Sequence, residues 1–234
     1  APGVGGVSAD ATRHSLFNFT RRMRYELGYP NVRVINVSEG GRPIAEWTGT
    51  PGNRAISTAN TPQMQKIKDA MTAAGAGKFT HVVMIQGEAN ALDAKFPWDE
   101  PGTYGYERLY FRSSLIAQGF ADAKTAWLDV ELLRRDVASA SWRANDVISR
   151  LDETGYSNSA VVSAYGFVGE DEGLSMAYAG GAVTVPYRLH FSAADNSELG
   201  HRLFHAASKL ERTSIWVSDK SATPASCREI SNRS

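Results

Sequence analysis

Apolar and polar positions recur along this chain with two different periods, which separate predicted helices from predicted strands. Apolar residues at helical spacing, bounded by capping or breaking residues, predict helices. Short apolar or alternating runs bounded by turns predict strands. The predicted helices cover residues 9–27, 62–73, 106–118, 138–152 and 195–210. The predicted strands cover residues 32–37, 79–86, 124–130, 161–167 and 182–185.

Strands that alternate with helices of this length predict a parallel sheet joined by right-handed crossovers. The chain has 234 residues, which is enough for one sizeable core and favours a single α/β domain. After residues 215–217 the apolar period fades and the sequence becomes polar. We therefore predict one domain over residues 1–210 and a C-terminal tail or linker over residues 211–234.

Charge and cysteine content narrow the class of partner. Lys and Arg total 25, as do Asp and Glu, so the formal net charge is zero. This balance argues against a nucleic-acid surface or a polybasic membrane contact. No apolar run approaches the roughly 20 residues of a membrane span. The one cysteine, Cys227, excludes an internal disulfide, and the oligomeric state cannot be read from the sequence.

Three segments at predicted strand ends carry polar or glycine-rich sequence, where parallel sheets bind ligands. In the first, Ser8 precedes a helix whose N-terminus favours developing negative charge. In the second, Gly40 and Gly41 allow the backbone to approach a substrate closely. The third is Gln86-Gly87-Glu88, directly after a buried apolar run. A lone histidine just before the last helix, at position 190, adds a candidate general base.

These segments resemble four sequence blocks of one hydrolase superfamily. Residues 40–47, Gly-Gly-Arg-Pro-Ile-Ala-Glu-Trp, resemble the Gly-Gly-x-x-Ile-x-x-Trp block of sialate O-acetylesterases and related acetylxylan esterases. Residues 86–89 resemble their Gln-Gly-Glu block. His-Phe-Ser at 190–192, followed by Gly200, resembles the last block of the wider SGNH (GDSL-like) superfamily, and Gly-Val-Ser at 6–8 resembles its first. The four blocks occur in order over residues 6–208.

The resemblance implies a flavodoxin-like α/β fold, a three-layer α/β/α sandwich around a central parallel sheet, and an acyl-ester hydrolase without metal or organic cofactor. By position, Ser8 is the nucleophile and His190 the general base. The backbone N–H groups of Ser8 and Gly41, with the Gln86 amide, form the oxyanion hole. Candidate substrate-binding residues in the same blocks are Gly40, Arg42, Trp47 and Asn90.

This chain departs from the superfamily pattern in two places. Tyr187 stands three residues before His190, where the superfamily usually has an Asp that orients the imidazole. Glu88 is the candidate for that task, because some members of the Gln-Gly-Glu group are thought to take the acid from this block; Asp10 and Asp129 are alternatives. The first block also lacks the usual Asp or Gln before Ser8. Ser15 or Ser38 could be the nucleophile instead of Ser8.

Other interpretations of the same residues stay open. Glu88 could cap a helix or pair with Arg42, and Gln86 could satisfy backbone groups at a strand end. Trp47, Trp98 and Tyr104 could stack on a sugar, and Trp47 could equally lie in the core. His201 and His205 are four apart on one helix face, but no third metal ligand is evident nearby in the sequence, so no metal site is expected.

The functional expectation is a serine esterase that removes O-acetyl groups from a carbohydrate through an acyl-enzyme intermediate. The carbohydrate rests on the resemblance alone, because this fold accepts many acyl substrates. The alternative is a non-catalytic glycan-binding domain of a phage tail or cell-surface assembly, which Tyr187 and the altered first block favour. No signal peptide is visible at Ala1, but a mature secreted or virion-borne chain has the same appearance, so the absence of a signal does not fix the location. An extracellular or virion-associated location is favoured over a cytoplasmic one, in keeping with the expected substrate and its alternative.

Overall fold

The computed structural model describes residues 15–38, 42–49, 61–90, 98–133, 141–155, 157–167, 174–178, 181–185 and 191–219. The helices are α1 (Ser15–Glu26), α2 (Ala45–Thr48), α3 (Pro62–Ala74), α4 (Tyr104–Ala117), α5 (Ser141–Ser149) and α6 (Ala193–Asp219). The strands are β1 (His81–Met84), β2 (Ala126–Val130), β3 (Ser159–Val162), β4 (Leu174–Tyr178) and β5 (Gly181–Val185). Short 3₁₀ turns cover Glu88–Asn90 and Leu151–Thr154.

The predicted α/β class with a parallel sheet is confirmed. Strands β1, β2 and β3 form a parallel sheet in chain order, with His81 opposite Ala126 and Trp127 opposite Ser159. Parallel neighbours require a crossover, and α4 and α5 lie in the two connections. Strands β4 and β5 instead pair antiparallel in a separate two-stranded sheet. The prediction for residues 182–185 is thus right as a strand but not as part of the parallel sheet.

Capping residues account for the helix boundaries. The hydroxyl of Thr61 accepts from the Met64 backbone N–H at 3.1 Å, and Pro62 occupies the first turn of α3. Gly75 ends that helix in the left-handed conformation, with φ of 58°. Ser192 and Asp195 cap α6 reciprocally, since the backbone N–H of each donates to the side chain of the other at 3.0 and 3.1 Å.

The strand predicted over residues 32–37 is wrong: within the described part of the chain these residues pair with no strand. Their alternation reflects side-chain packing instead. Ile35 and Val37 pack against one core cluster, while Val32 packs against another. These three side chains are therefore partly buried without a backbone ladder, while Val34 is exposed. Periodicity alone cannot distinguish such a segment from a strand.

The core consists of two hydrophobic clusters that draw on different helices. Trp127 of β2 joins the first cluster and the next residue, Leu128, joins the second, as the period of a strand requires. The first cluster takes residues mainly from α3, α4 and α5, including Met64, Ile67, Met71, Phe111, Leu115, Val147 and Ile148. The second takes residues mainly from α1 and α6, including Phe19, Met23, Leu199, Leu203, Phe204 and Ala207.

Helices α1 and α6 pack with their backbones in close approach at Gly200. A Cβ atom there would lie 2.4 Å from the Ser15 carbonyl oxygen, so only glycine fits. Helix α6 continues to Asp219, so the domain boundary placed at residue 210 falls inside it. Glu211 accepts a 2.5 Å hydrogen bond from the Tyr29 hydroxyl, which attaches this part of α6 to the domain. Among the described helices, none combines the length and apolar character needed to cross a membrane.

Candidate active site

The structure describes five of the nine candidate site residues. Gln86, Glu88 and Asn90 follow the carboxyl end of β1, and Arg42 and Trp47 lie just before and within α2. The remaining candidates lie outside the described residues: Ser8, Gly40, Gly41 and His190. Asp10 and Tyr187 lie outside them as well.

Hydrogen bonds join two of the sequence blocks, although more than forty residues separate them in the chain. The Gln86 side-chain Nε2 donates to the Asn90 Oδ1 at 2.8 Å and to the Arg42 carbonyl at 3.3 Å. The Ile44 backbone N–H also donates to the Asn90 Oδ1, at 2.9 Å. The segment that follows Gly41 is thereby held against the carboxyl end of β1.

The orientation of the Gln86 amide follows from its neighbours. Both the Arg42 carbonyl and the Asn90 Oδ1 are acceptors, so the NH₂ group and not the amide oxygen must face them. An amide nitrogen carries two hydrogens, and each has a protein acceptor here. Gln86 in this arrangement holds the Arg42 main chain in place, which is a positioning role different from the expected direct donation to an oxyanion.

The main-chain carbonyl of Gln86 is held from the other side by α4. The Tyr104 hydroxyl donates to it at 2.5 Å and the Arg108 Nη1 at 3.1 Å. Arg108 also donates to the Tyr104 hydroxyl oxygen at 2.7 Å. Gly87 follows with φ of 140°, and a Cβ there would lie 2.5 Å from the Tyr104 oxygen. Glycine is required at this turn both by its backbone conformation and by the tyrosine.

Asp129 anchors this network in the core. It is 1% exposed, and its two oxygens accept hydrogen bonds from Arg108 and Arg112, both fully buried. A buried carboxylate with a guanidinium on each oxygen is a structural ion pair. Asp129 therefore faces α4, which argues against it as the acid that orients His190.

Glu88 is half-buried in the 3₁₀ turn after Gly87. Burial raises the pKa of the Tyr104 phenol; Arg108 opposes that rise, and the Asp129 and Glu88 carboxylates add to it. Tyr104 is thus neutral at pH 7 and available as a donor to the Gln86 carbonyl. Glu88 directly follows the Gln86-Gly87 turn, beyond the carboxyl end of β1.

The block around α2 contains a salt bridge and a packed aromatic ring. Arg42 is exposed, and its Nη1 lies 3.1 Å from the Oε2 of Glu46. Trp47 is half-buried against the first core cluster and meets Phe111 edge to face, with ring centroids 6.2 Å apart. These contacts favour the core interpretation of Trp47 over sugar stacking.

An open pocket of about 500 Å³ adjoins this block. Its lining includes Arg42, Glu46, Thr61, Gln63 and Lys66. The pocket wall thus presents charged and amide groups next to the segment that Gln86 holds.

The two alternative nucleophiles are poorly placed. Ser15 is 1% exposed and lies at the close approach of α1 to α6. The Ser38 hydroxyl is exposed and donates to the Asn36 Oδ1 at 2.7 Å, within a local turn. Neither serine has a base as its hydrogen-bond partner among the described contacts, so Ser8 remains the nucleophile hypothesis.

Arg108 and Arg112 were missed by sequence reasoning, although a signal was present. Tyr104 was considered only as a ring that could stack on a sugar, whereas it is 2% exposed and donates to the Gln86 carbonyl. Arginines at positions i and i+4 of a largely apolar helix, with an Asp inside an apolar strand, indicate buried ion pairs, because such charges are rarely buried alone. A second buried carboxylate, Glu131, follows β2 and accepts from the Ser163 hydroxyl at 2.7 Å. Its only sequence signal is its place directly after a buried strand.

The pair of histidines on α6 faces an arginine. The Nη1 of Arg22 lies 3.3 Å from both the His201 Nδ1 and the His205 Nε2. No group of three or more His, Cys, Asp or Glu suited to a metal ion occurs within the described ranges.

On the C-terminal side of position 190, Ser192 caps α6 and Phe191 meets Phe167 edge to face, with ring centroids 5.5 Å apart. In comparisons with known proteins, no family model, no curated protein and no solved structure matches this chain.

Proposed function

We propose that this chain is a serine esterase that removes O-acetyl groups from a carbohydrate through an acyl-enzyme intermediate. One observation carries the proposal. The Gln86 amide joins the Arg42 carbonyl and Asn90 at the carboxyl end of a parallel strand, so the two blocks that resemble sugar O-acetylesterases meet in space. In open parallel sheets this edge is where ligands bind.

The arrangement of the core supports the finer proposal of a three-layer, flavodoxin-like SGNH fold. Helices α3, α4 and α5 contribute to one cluster, and α1 and α6 contribute to the other. Adjacent residues of β2 join different clusters, as in a sheet covered on both faces. In this proposal β1, β2 and β3 are three members of a larger parallel sheet.

In the proposed mechanism, the Ser8 hydroxyl attacks the carbonyl carbon of the acetyl ester while His190 takes its proton. The resulting oxyanion is bound by the backbone N–H groups of Ser8 and Gly41. Collapse expels the sugar alkoxide, which receives the proton from His190, and leaves acetyl-Ser8. Water, deprotonated by His190, then attacks the acetyl group and releases acetate. Glu88 orients the imidazole and stabilises its protonated form.

Hydrolysis of p-nitrophenyl acetate tests the catalytic assignment. We expect Ser8→Ala and His190→Ala each to reduce kcat by roughly three orders of magnitude or more. Ser38→Ala is the matched control, because its exposed hydroxyl bonds only within a local turn, and it should retain wild-type activity. An inactive wild-type chain, or full activity in Ser8→Ala, would overturn the proposal; circular dichroism confirms that each variant is folded.

The second candidate is a glycan-binding domain without catalysis. The observation that favours it is the Gln86 amide, whose two hydrogens both face protein acceptors, together with Tyr187 in the usual place of Asp. Binding of an acetylated glycan without release of acetate, measured by calorimetry and an acetate assay on the same sample, would favour this candidate over the esterase.

A further inference from the structure

We propose that Tyr104 and Arg108 are positioning residues of the esterase site. By holding the Gln86 main-chain carbonyl, they fix the side-chain amide that binds the Arg42 carbonyl, and with it the backbone next to Gly41. The inference rests on the proposed function for its catalytic consequence. The linkage itself is a property of the described residues and can be tested without activity.

The first step is the convergence of two donors on one carbonyl. Gln86 lies two residues beyond β1, so its carbonyl is outside the parallel ladder. A carbonyl oxygen has two lone pairs, and here Tyr104 and Arg108 provide one donor each. The peptide between Gln86 and Gly87 is therefore fixed by side chains of α4.

The second step is the rigidity of the donors. Tyr104 is 2% exposed and Arg108 is fully buried, one turn apart on the same helix. Arg108 donates to Asp129 of β2 as well as to Tyr104 and Gln86. A guanidinium with donors fixed in a planar fork cannot move toward one partner without leaving another.

The third step is the close contact at Gly87. The Tyr104 oxygen occupies the space that a Cβ would take, so the turn and the tyrosine define each other's position. Beyond the turn, Asn90 accepts from both Gln86 and the Ile44 backbone N–H. A rotation of the Gln86 peptide would thus be transmitted to residues 42–44. Displacements of about 1 Å in such supports can reduce catalysis about a hundredfold.

Tyr104→Phe tests the proposal, because it removes one hydroxyl and keeps the ring. In p-nitrophenyl acetate hydrolysis we expect kcat to fall by roughly 10- to 100-fold while KM changes by less than about twofold. In a Gln86→Ala background, Tyr104→Phe should not lower kcat further, because the hydroxyl acts on the site through the Gln86 side-chain amide, which alanine lacks. Tyr106→Phe on the same helix, whose ring stacks on Tyr110 at 6.1 Å, is the control and should behave as wild type.

Arg108→Lys is a second variant, since an ammonium lacks the planar fork that reaches Asp129, Tyr104 and Gln86 together. We expect the same fall in kcat as in Tyr104→Phe. Its ion pair with Asp129 is fully buried, so this variant tests the fold as well. If Arg108→Lys does not fold, the kcat of Tyr104→Phe alone tests the positioning role, because that variant leaves the ion pair intact.

Amide hydrogen exchange measured by NMR separates the two proposals. Tyr104→Phe should speed exchange at the Ile44 N–H, which depends on Asn90, with no change in Tyr106→Phe. An inactive wild type with faster Ile44 exchange in Tyr104→Phe would overturn the proposed function and support the linkage. Unchanged exchange at Ile44, or an equal loss of kcat with and without Gln86, would overturn the positioning role.

Discussion

The two ends of β1 are held in different ways. At the carboxyl end, directional hydrogen bonds from Tyr104 and Arg108 meet on the Gln86 carbonyl. At the amino end, His81 packs edge to face against Phe19 and Tyr29, with ring centroids 6.0 and 6.2 Å apart. The carboxylate of Glu211 on α6 also approaches this ring, with its Oε1 3.5 Å from the His81 Nε2.

This difference matches what each end has to do. Ring contacts hold a helix to a strand but tolerate small shifts, because dispersion depends weakly on orientation. Hydrogen bonds between buried groups weaken steeply with misalignment, so a network fixes atomic positions. The precise network lies at the edge where parallel sheets bind ligands, and the tolerant packing lies at the opposite edge.

The largest expected effect comes from breaking the anchor of the carboxyl-end network. Asp129→Asn would leave the guanidiniums of Arg108 and Arg112 without their buried carboxylate. We expect the free energy of unfolding to fall by roughly 3–5 kcal/mol. Urea denaturation measures the change. Asp122→Asn, an exposed partner of Lys78, is the control and should leave the denaturation midpoint almost unchanged.

Gly87→Ala should have the next largest effect. The backbone φ of 140° is strained for any L side chain, and the new Cβ would lie 2.5 Å from the Tyr104 oxygen. We expect the free energy of unfolding to fall by roughly 1–3 kcal/mol and the turn at Gln86 to shift. Gly77→Ala, with nothing within 4 Å of its Cβ, provides the comparison. Equal stability of the two variants would show that the turn is not constrained.

The smallest effect is expected at the amino end and depends on pH. Burial lowers the pKa of His81, and Glu211 only partly opposes this. At pH values above the ordinary histidine pKa of 6.5, the imidazole is neutral in both the folded and the unfolded chain, so its burial does not make stability depend on pH. As the pH falls below 6.5, the unfolded chain takes up the proton first, so stability decreases. Urea denaturation at several pH values should give a shallower slope for His81→Gln than for wild type; identical slopes would contradict this.

Tyr29 belongs to the same end but titrates in a different range. Burial and the hydrogen bond to Glu211 raise its pKa to about 12. The stability that this bond contributes is complete below the ordinary value of 10 and is lost as the pH rises toward 12. The acid-side measurement on His81 is therefore unaffected by Tyr29.

Most of the secondary structure could be predicted because it depends on local signals. Thr61-Pro62 starts α3, Ser192 starts α6, and β1 and β2 are short runs that are mostly apolar. The segment 32–37 could not be classified correctly, because alternation reports which side chains are buried and not whether the backbone has a partner strand.

The candidate site was predictable only as a set of sequence blocks. Gln86 and Asn90 follow a strand that the sequence predicts, β1, whereas Arg42 follows a segment that is not a strand. The contact of Gln86 with Arg42 therefore appears only in the folded structure. The hydrogen bonds of Tyr104 and Arg108 to the Gln86 carbonyl could not be predicted from the sequence. Many side chains of α4 could face the strand end, and only the folded structure shows which of them do. The two arginines of α4 and the Asp inside β2 indicate buried ion pairs, but the sequence does not show that Arg108 also reaches the Gln86 carbonyl.

Covalent labelling by a fluorophosphonate tests the central claim most directly. Such a reagent modifies a serine only when a base activates the hydroxyl and an oxyanion site accepts the phosphonyl oxygen. Peptide mass spectrometry of the labelled protein should find one adduct, on the peptide that contains Ser8, with labelling abolished in Ser8→Ala and greatly slowed in His190→Ala. An unlabelled wild-type chain, or an adduct on another residue, would contradict the account.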